Sequence, residues 1–175
     1  IMYFTIIYIL LQLIFKFILF YLVINMSPKQ WGPPTWVFIH TLAAKIKDDQ
    51  FIVIGPQVIR NIIQICGLLP CPECSVHAKQ FWSRVNINKV TTKQDLINLL
   101  FVFHNSVNKR TKSPPFKYID LQYYKTLNLI ETFNNFARNF HTKGNMNLIN
   151  ESFHRGRLMS SLKSWLMNNI GHFDV

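Results

Sequence analysis

A chain of 175 residues is long enough for one compact domain with extensions, and 49% apolar residues are too many for a wholly disordered protein. Its charge, 19 Lys and Arg against 8 Asp and Glu, suits an anionic membrane surface, nucleic acid or an anionic cofactor; only Lys109, Arg110 and Lys112 cluster, so the continuous basic stripe of a nucleic-acid binder is missing. Three cysteines, Cys66, Cys71 and Cys74, are too few for a disulfide-stapled secreted scaffold, and the C-x-x-C spacing of two of them points to redox or metal chemistry.

Residues 1–25 are apolar except for Gln12, Lys16 and Asn25, and at about 1.5 Å per residue they reach across a hydrocarbon core of about 30 Å. The stretch is expected either to anchor the chain in a membrane as a transmembrane helix or to lie upstream of a globular part that begins at Met26; it carries no small-residue cleavage site. From Met26 the apolar period is helical. Pro33 and Pro34 fit a first helical turn, followed by Thr35 to Lys47 with Trp36, His40 and Ala43 along one face. Phe51 to Leu69 forms the second helix, and Pro72 opens a third that carries Cys74, His77, Ala78 and Phe81. Thr92-x-x-Asp95 resembles a capping box at the head of a fourth, whose stripe is Leu96, Leu99, Leu100, Phe103 and Val107. A short amphipathic segment, Tyr118 to Ile130, completes residues 26–130. The expected fold is all-α, a four-helix bundle with a short fifth helix, and the absence of strand-helix alternation disfavours Rossmann and thioredoxin scaffolds. Residues 131–175 form an extension of unassigned role, with a terminal helix expected over Arg157 to Asn169.

The chemistry concentrates in LLPCPECSVHAKQFW, Leu68 to Trp82. Cys71 falls at the N-cap of the third helix, where unpaired N–H groups and the positive end of the dipole favour a thiolate. Cys74, one turn inside, is close enough for a disulfide that opens and reforms by thiolate exchange. A C-x-x-C pair is also half a zinc site, with His77 as a third ligand and His104 as a distant fourth, which yields the rival reading of a zinc-stabilised helical adaptor at a membrane. Inert packing suits Cys66 better than the pair, because Cys66 lies on an apolar stripe.

Three blocks then occur in order: WGPPTWVFIHTLA, Trp31 to Ala43; PCPECSVHA around the cysteines; and FHNSVNKR, Phe103 to Arg110. In that order and separation they resemble the Erv/ALR family of FAD-linked sulfhydryl oxidases, in particular the short versions encoded by large cytoplasmic DNA viruses. The resemblance spans about Trp31 to Lys125. It implies a helical bundle that holds FAD, usually as a homodimer, and a site in the host cytoplasm or virion.

Carried onto this chain, the resemblance assigns Cys71 and Cys74 as the redox pair. Gly32, Thr35, Trp36 and His40 lie at and along the flavin, and His77 follows the pair on the adenine side. His104, Asn105, Val107 and Asn108 form the third block, Lys109, Arg110 and Lys112 lie where the family places basic groups near the adenine and pyrophosphate portion, and Tyr124 is a candidate for the wall from the last helix. No metal is implied. The implied reaction is dithiol oxidation: a substrate thiolate attacks Cys71, Cys74 is freed beside the flavin, and oxygen takes the electrons as hydrogen peroxide. Because no second cysteine pair is present, a separate dithiol protein is expected to relay oxidation from final targets.

Overall fold

The computed structural model describes residues 7–16, 28–140 and 149–175. Regular structure there is helical, apart from one isolated antiparallel bridge between Ile46 and Phe173. Residues 7–16 form an exposed helical stretch, α1. No described helix is long and apolar enough to cross a membrane, and the rest of the expected anchor in 1–25 lies outside the described residues.

Helix α2 runs over Pro28–Ala44, a start five residues ahead of the first turn expected at Pro33 and Pro34. The two prolines therefore sit inside the helix, where they remove the hydrogen bonds to the carbonyls of Lys29 and Gln30. Residues 28–30 are exposed, so losing these bonds at the end of the helix costs less than it would in a buried interior. Thr35 Oγ1 donates to Trp31 O at 2.6 Å and ties the turn around the prolines. The second half of α2, Phe38 to Ala44, is buried without interruption, which makes this helix the axis of the molecule.

Helix α3, Phe51–Gly67, follows a 3-10 turn at Asp48–Gln50 and ends two residues before the expected Leu69. Ile54, Val58, Ile62 and Ile65 recur at helical spacing and are fully buried. Gly55 is required here by a close approach: a Cβ would come within 2.8 Å of the Phe51 ring. Helix α4, Pro72–Trp82, begins where Pro72 presets the first turn, with Cys71 as its N-cap. Helix α5, Lys93–Thr111, starts at a complete capping box, with Asp95 N donating to Thr92 Oγ1 at 3.1 Å and Thr92 N donating to Asp95 Oδ2 at 2.9 Å. It stops at Lys112, whose left-handed backbone (φ 56°) forms the C-cap.

The expected single segment Tyr118 to Ile130 is instead a 3-10 turn, Tyr118–Asp120, a short helix α6, Leu121–Thr126, and the head of α7, Leu129–Phe140. Extended backbone at Leu127 separates α6 from α7, and Asn128 Oδ1 then caps α7 by accepting from Glu131 N at 3.0 Å. Helix α7 packs along α2: Phe136 stacks on Phe38 at 4.9 Å, and Phe133 meets the same ring edge-on at 5.5 Å. The terminal helix α8, Ile149–Asn168, begins earlier than the expected Arg157 and buries Leu158, Leu162 and Leu166 against the common core.

Candidate active site

Proline at the first position of α4 and cysteine at its N-cap place both sulfurs of the Cys71–Cys74 disulfide at the helix N-terminus, with Cα atoms 5.2 Å apart. Cys74 N–H donates to Cys71 Sγ at 3.2 Å, so one of the free donors of the first turn is aimed at the outer sulfur. Ser75 Oγ donates to Leu69 O at 3.3 Å and fastens the loop before the disulfide to the helix that follows it.

The disulfide opens on a cleft of about 970 Å³ between the first half of α2, α4 and the second half of α5. That size is at the upper end of ordinary small-molecule sites, in the range of a dinucleotide. Of the residues expected to hold a cofactor, Gly32, Thr35, Trp36, His77, His104, Val107, Asn108 and Arg110 line this one cleft together with both redox cysteines. The hydroxyl of Thr35 is already committed to Trp31 O. Trp31, Phe81 and Phe103 complete the aromatic wall; they escaped the sequence reading because a buried aromatic on a helical stripe carries the same signal whether it fills a core or faces a ligand.

Four expected contact residues stand elsewhere. His40 is 2% exposed and lies behind the wall, its Nε2 3.1 Å from Nδ1 of His104, its ring stacked 4.7 Å from Tyr124. Tyr124 is therefore the backing of His40 rather than part of the lining. Asn105 exchanges two hydrogen bonds with the backbone of Phe116, donating to its carbonyl at 3.0 Å and accepting from its N–H at 2.8 Å. Lys112 is the exposed C-cap of α5. The polar groups of the third block thus find protein partners: Asn108 Nδ2 also donates to Pro114 O at 3.0 Å. Asn105 and Asn108 together fasten the 114–116 segment so that Phe116 packs on His104 at 4.5 Å.

His104 is stacked between Phe116 and Trp36, the latter at 3.9 Å with planes only 6° apart. Burial and, second, the neighbouring His104 hold His40 down to about 3; burial alone holds His104 down to about 4. Both rings are therefore neutral at physiological pH, one donating and the other accepting across their shared bond. Burial, with Asp120 and Tyr123 as smaller causes, pushes Tyr124 up to about 12 and keeps it a neutral phenol. Cys66 also lines the cleft, but burial raises its thiol to about 12, and the Trp82 indole offsets only part of that rise. It stays protonated and is not a nucleophile.

At the mouth, Glu73 Oε1 is 3.5 Å from His77 Nε2 and 3.9 Å from Arg110 Nη1. An apolar, aromatic-walled cleft with a guanidinium and a disulfide in its lining fits a flat, anionic dinucleotide that exchanges electrons with sulfur. Among the described residues no cluster of three or more His, Cys, Asp or Glu is arranged to hold a metal ion, so Cys71, Cys74, His77 and His104 do not assemble as the zinc set of the rival reading.

A family model described as Erv1/Alr matches residues 33–126. A relative from Invertebrate iridescent virus 3 that bears an FAD-linked sulfhydryl oxidase name is 37% identical over 92 residues, 51% of this chain and 62% of the relative. A fowlpox virus protein with the same kind of name is 30% identical over 102 residues, 58% of this chain and 99% of its own length. An FAD-linked sulfhydryl oxidase of African swine fever virus is 30% identical over 97 residues, 55% of this chain and 78% of the relative. No solved structure matches the chain significantly.

Proposed function

The chain belongs to the Erv1/Alr family, and from that premise we propose that it is an FAD-linked sulfhydryl oxidase, which makes disulfides in dithiol proteins at the expense of oxygen. The observation that carries this reading is the Cys71–Cys74 disulfide at a helix N-terminus in the lining of a dinucleotide-sized aromatic cleft. The chemistry FAD supplies when bound is acceptance of two electrons from a dithiol and their delivery to oxygen, with hydrogen peroxide as product.

Trp36, His77, His104, Val107, Asn108 and Arg110 would hold the cofactor. Trp36 and His104 offer it a rigid wall, because Phe116 and the neutral His40 fix His104 from behind. Arg110 supplies positive charge for the pyrophosphate, and the apolar lining excludes water.

The protein's own steps are two thiol exchanges. A substrate thiolate attacks Cys71 Sγ; a substrate–Cys71 disulfide forms, the Cys71–Cys74 bond breaks, and the electron pair leaves on Cys74 Sγ. A second substrate thiolate then attacks its own mixed-disulfide sulfur, and Cys71 departs as thiolate. The Cys74 N–H aimed at Cys71 Sγ and the dipole of α4 stabilise that departing anion, which speeds the second exchange. Overall the substrate loses two electrons and two protons, and the cysteine pair gains the electrons.

The relatives are viral, and the same reading places this chain among viral oxidases acting in the infected cytoplasm or the virion. With Cys66 inert, no second dithiol on the described chain is available to reach bulky targets, so a separate dithiol protein relays oxidation; turnover of large reduced unfolded proteins as fast as a small dithiol would refute the relay. The decisive experiment for the reading as a whole is a visible spectrum. Purified protein should be yellow with flavin bands that a dithiol bleaches without oxygen, and Cys74→Ser should keep the colour but not bleach. A folded, colourless chain that takes up no FAD overturns the assignment.

A further inference from the structure

We propose that the dithiol delivered to Cys71 is carried by an acidic segment of its protein, because the chain's basic cluster is brought to the lip of the cleft beside the disulfide. The inference rests on the thiol-oxidase reading and specifies its substrate.

In the sequence Lys109, Arg110 and Lys112 lie well away from Cys71 and Cys74. The fold removes that separation. Lys109 and Arg110 occupy the last turn of α5 and Lys112 caps it; Arg110 reaches to 3.9 Å from Glu73, the residue just before Cys74. Arg110 and Thr111 line the same cleft as both cysteines. The C-terminal end of α5 therefore abuts the N-terminal end of α4, whose own dipole adds positive potential under Cys71. Glu73 is the sole carboxylate among the cleft-lining residues, and His77 and Arg110 already stand beside it. Its charge is answered locally and leaves the lip positive.

Among the cleft-lining groups the three cations Lys29, Arg84 and Arg110 match Glu73 and the two phosphates of a bound FAD, which leaves the charges of Lys109 and Lys112 in excess. Lys109 and Lys112, at the end of α5 that carries Arg110, are exposed. Val102, also exposed and part of the cleft lining, adds an apolar footing beside them. Such a field steers encounter more than it tightens the final complex, so its signature is a rate that depends on the charge of the substrate and on salt. The exchange itself is unchanged: two electrons pass from the substrate sulfurs to Cys71–Cys74.

The test uses the full FAD-loaded chain with three probes: dithiothreitol, and two otherwise identical dithiol peptides flanked by Glu or by Lys. At low ionic strength kcat/KM should favour the Glu peptide at least tenfold. The ratio should fall toward one near 0.5 M salt, where the screening length drops to roughly 4 Å. Lys109→Glu should shrink the ratio severalfold, with each peptide rate taken relative to dithiothreitol oxidation by the same variant. Equal rates for the two peptides at low salt, or a preference for the Lys peptide, overturn the inference while the dithiothreitol rate keeps the oxidase reading in place. Absence of turnover on all three probes overturns both.

Discussion

His40 and His104 share one hydrogen bond, 3.1 Å from Nε2 to Nδ1, so one ring has to give a proton and the other take it. Protonating either ring breaks that arrangement inside an aromatic stack. In the unfolded chain both titrate near the ordinary value of about 6.5, whereas burial first and mutual repulsion second hold His40 down to about 3 in the folded protein; burial holds His104 down to about 4. Below pH 6.5 the unfolded chain binds protons that the native state refuses. Stability contributed by the pair is thus complete above about pH 6.5 and is lost as pH falls toward 4, with a slope for His40 of up to about 1.4 kcal/mol per pH unit. Thermal melts between pH 7.5 and 4 check this: the midpoint should drop steadily on acidification, and His40→Gln, which retains a donor for His104 but cannot be charged, should flatten the profile. Cys66 supplies a second test at this scale. A thiol raised to about 12 and buried at 3% exposure should resist alkylation in the native, unreduced protein and become the only thiol labelled on unfolding. Labelling of the native chain at pH 8 would mean that Cys66 is reachable and reactive.

At the scale of elements, what the sequence makes legible is what local chemistry decides. Thr92-x-x-Asp95 is a capping box in both readings, because two short side chains and two backbone N–H groups three residues apart are sufficient to make it. Thr92→Ala should cost about 1 kcal/mol of stability in denaturant titration, while the flavin affinity of a site whose α5 lining begins at Leu99 stays unchanged. Pro72 and Cys71 at the head of α4 are local in the same sense. The start of α2 is not: Pro33 and Pro34 advertise a first turn, yet the helix extends back to Pro28 through residues that are exposed at 28–30. The split between α6 and α7 was written in the chain as Asn128-x-x-Glu131, the same pattern as the box at Thr92, but the apolar residues that flank it run through at helical spacing and hide the break. The cleft shows the other limit. Trp36, Cys74, His77, His104 and Asn108 can be picked from motifs, yet the separation between a residue that lines the cleft, such as His104, and one that stands behind it, such as His40, is a matter of packing between α2, α5 and α6 that no local spacing encodes.

At the scale of the molecule, residues beyond the family-matched span 33–126 are built into the same core as the site. Helix α8 and the segment after it return to the opposite end of α2. Trp165 Nε1 donates to Gln57 Oε1 at 2.8 Å, and Gln50 Oε1 meets His172 Nδ1 at 2.8 Å. Around the Ile46–Phe173 bridge, Lys47 N donates to His172 O at 3.0 Å and Asp174 N donates to Lys45 O at 2.7 Å. These bonds pin the stretch that directly follows α2, and α2 is the helix that presents Trp36 to the cleft at its other half. None of the described residues of 131–175 lines the cleft, so any influence of the extension on the site has to pass through the core it shares with α2. Phe173→Ala removes a ring that is 2% exposed and leaves a cavity at that anchor, so it should lower stability by about 3–5 kcal/mol. Because the anchor holds α2, the same substitution should also quicken FAD release, read as the growth of free-flavin fluorescence at a temperature where the variant remains folded by circular dichroism. A variant that loses stability but releases flavin at the parental rate would show that the segment after α8 braces the core alone, with the position of Trp36 set by its packing on α5.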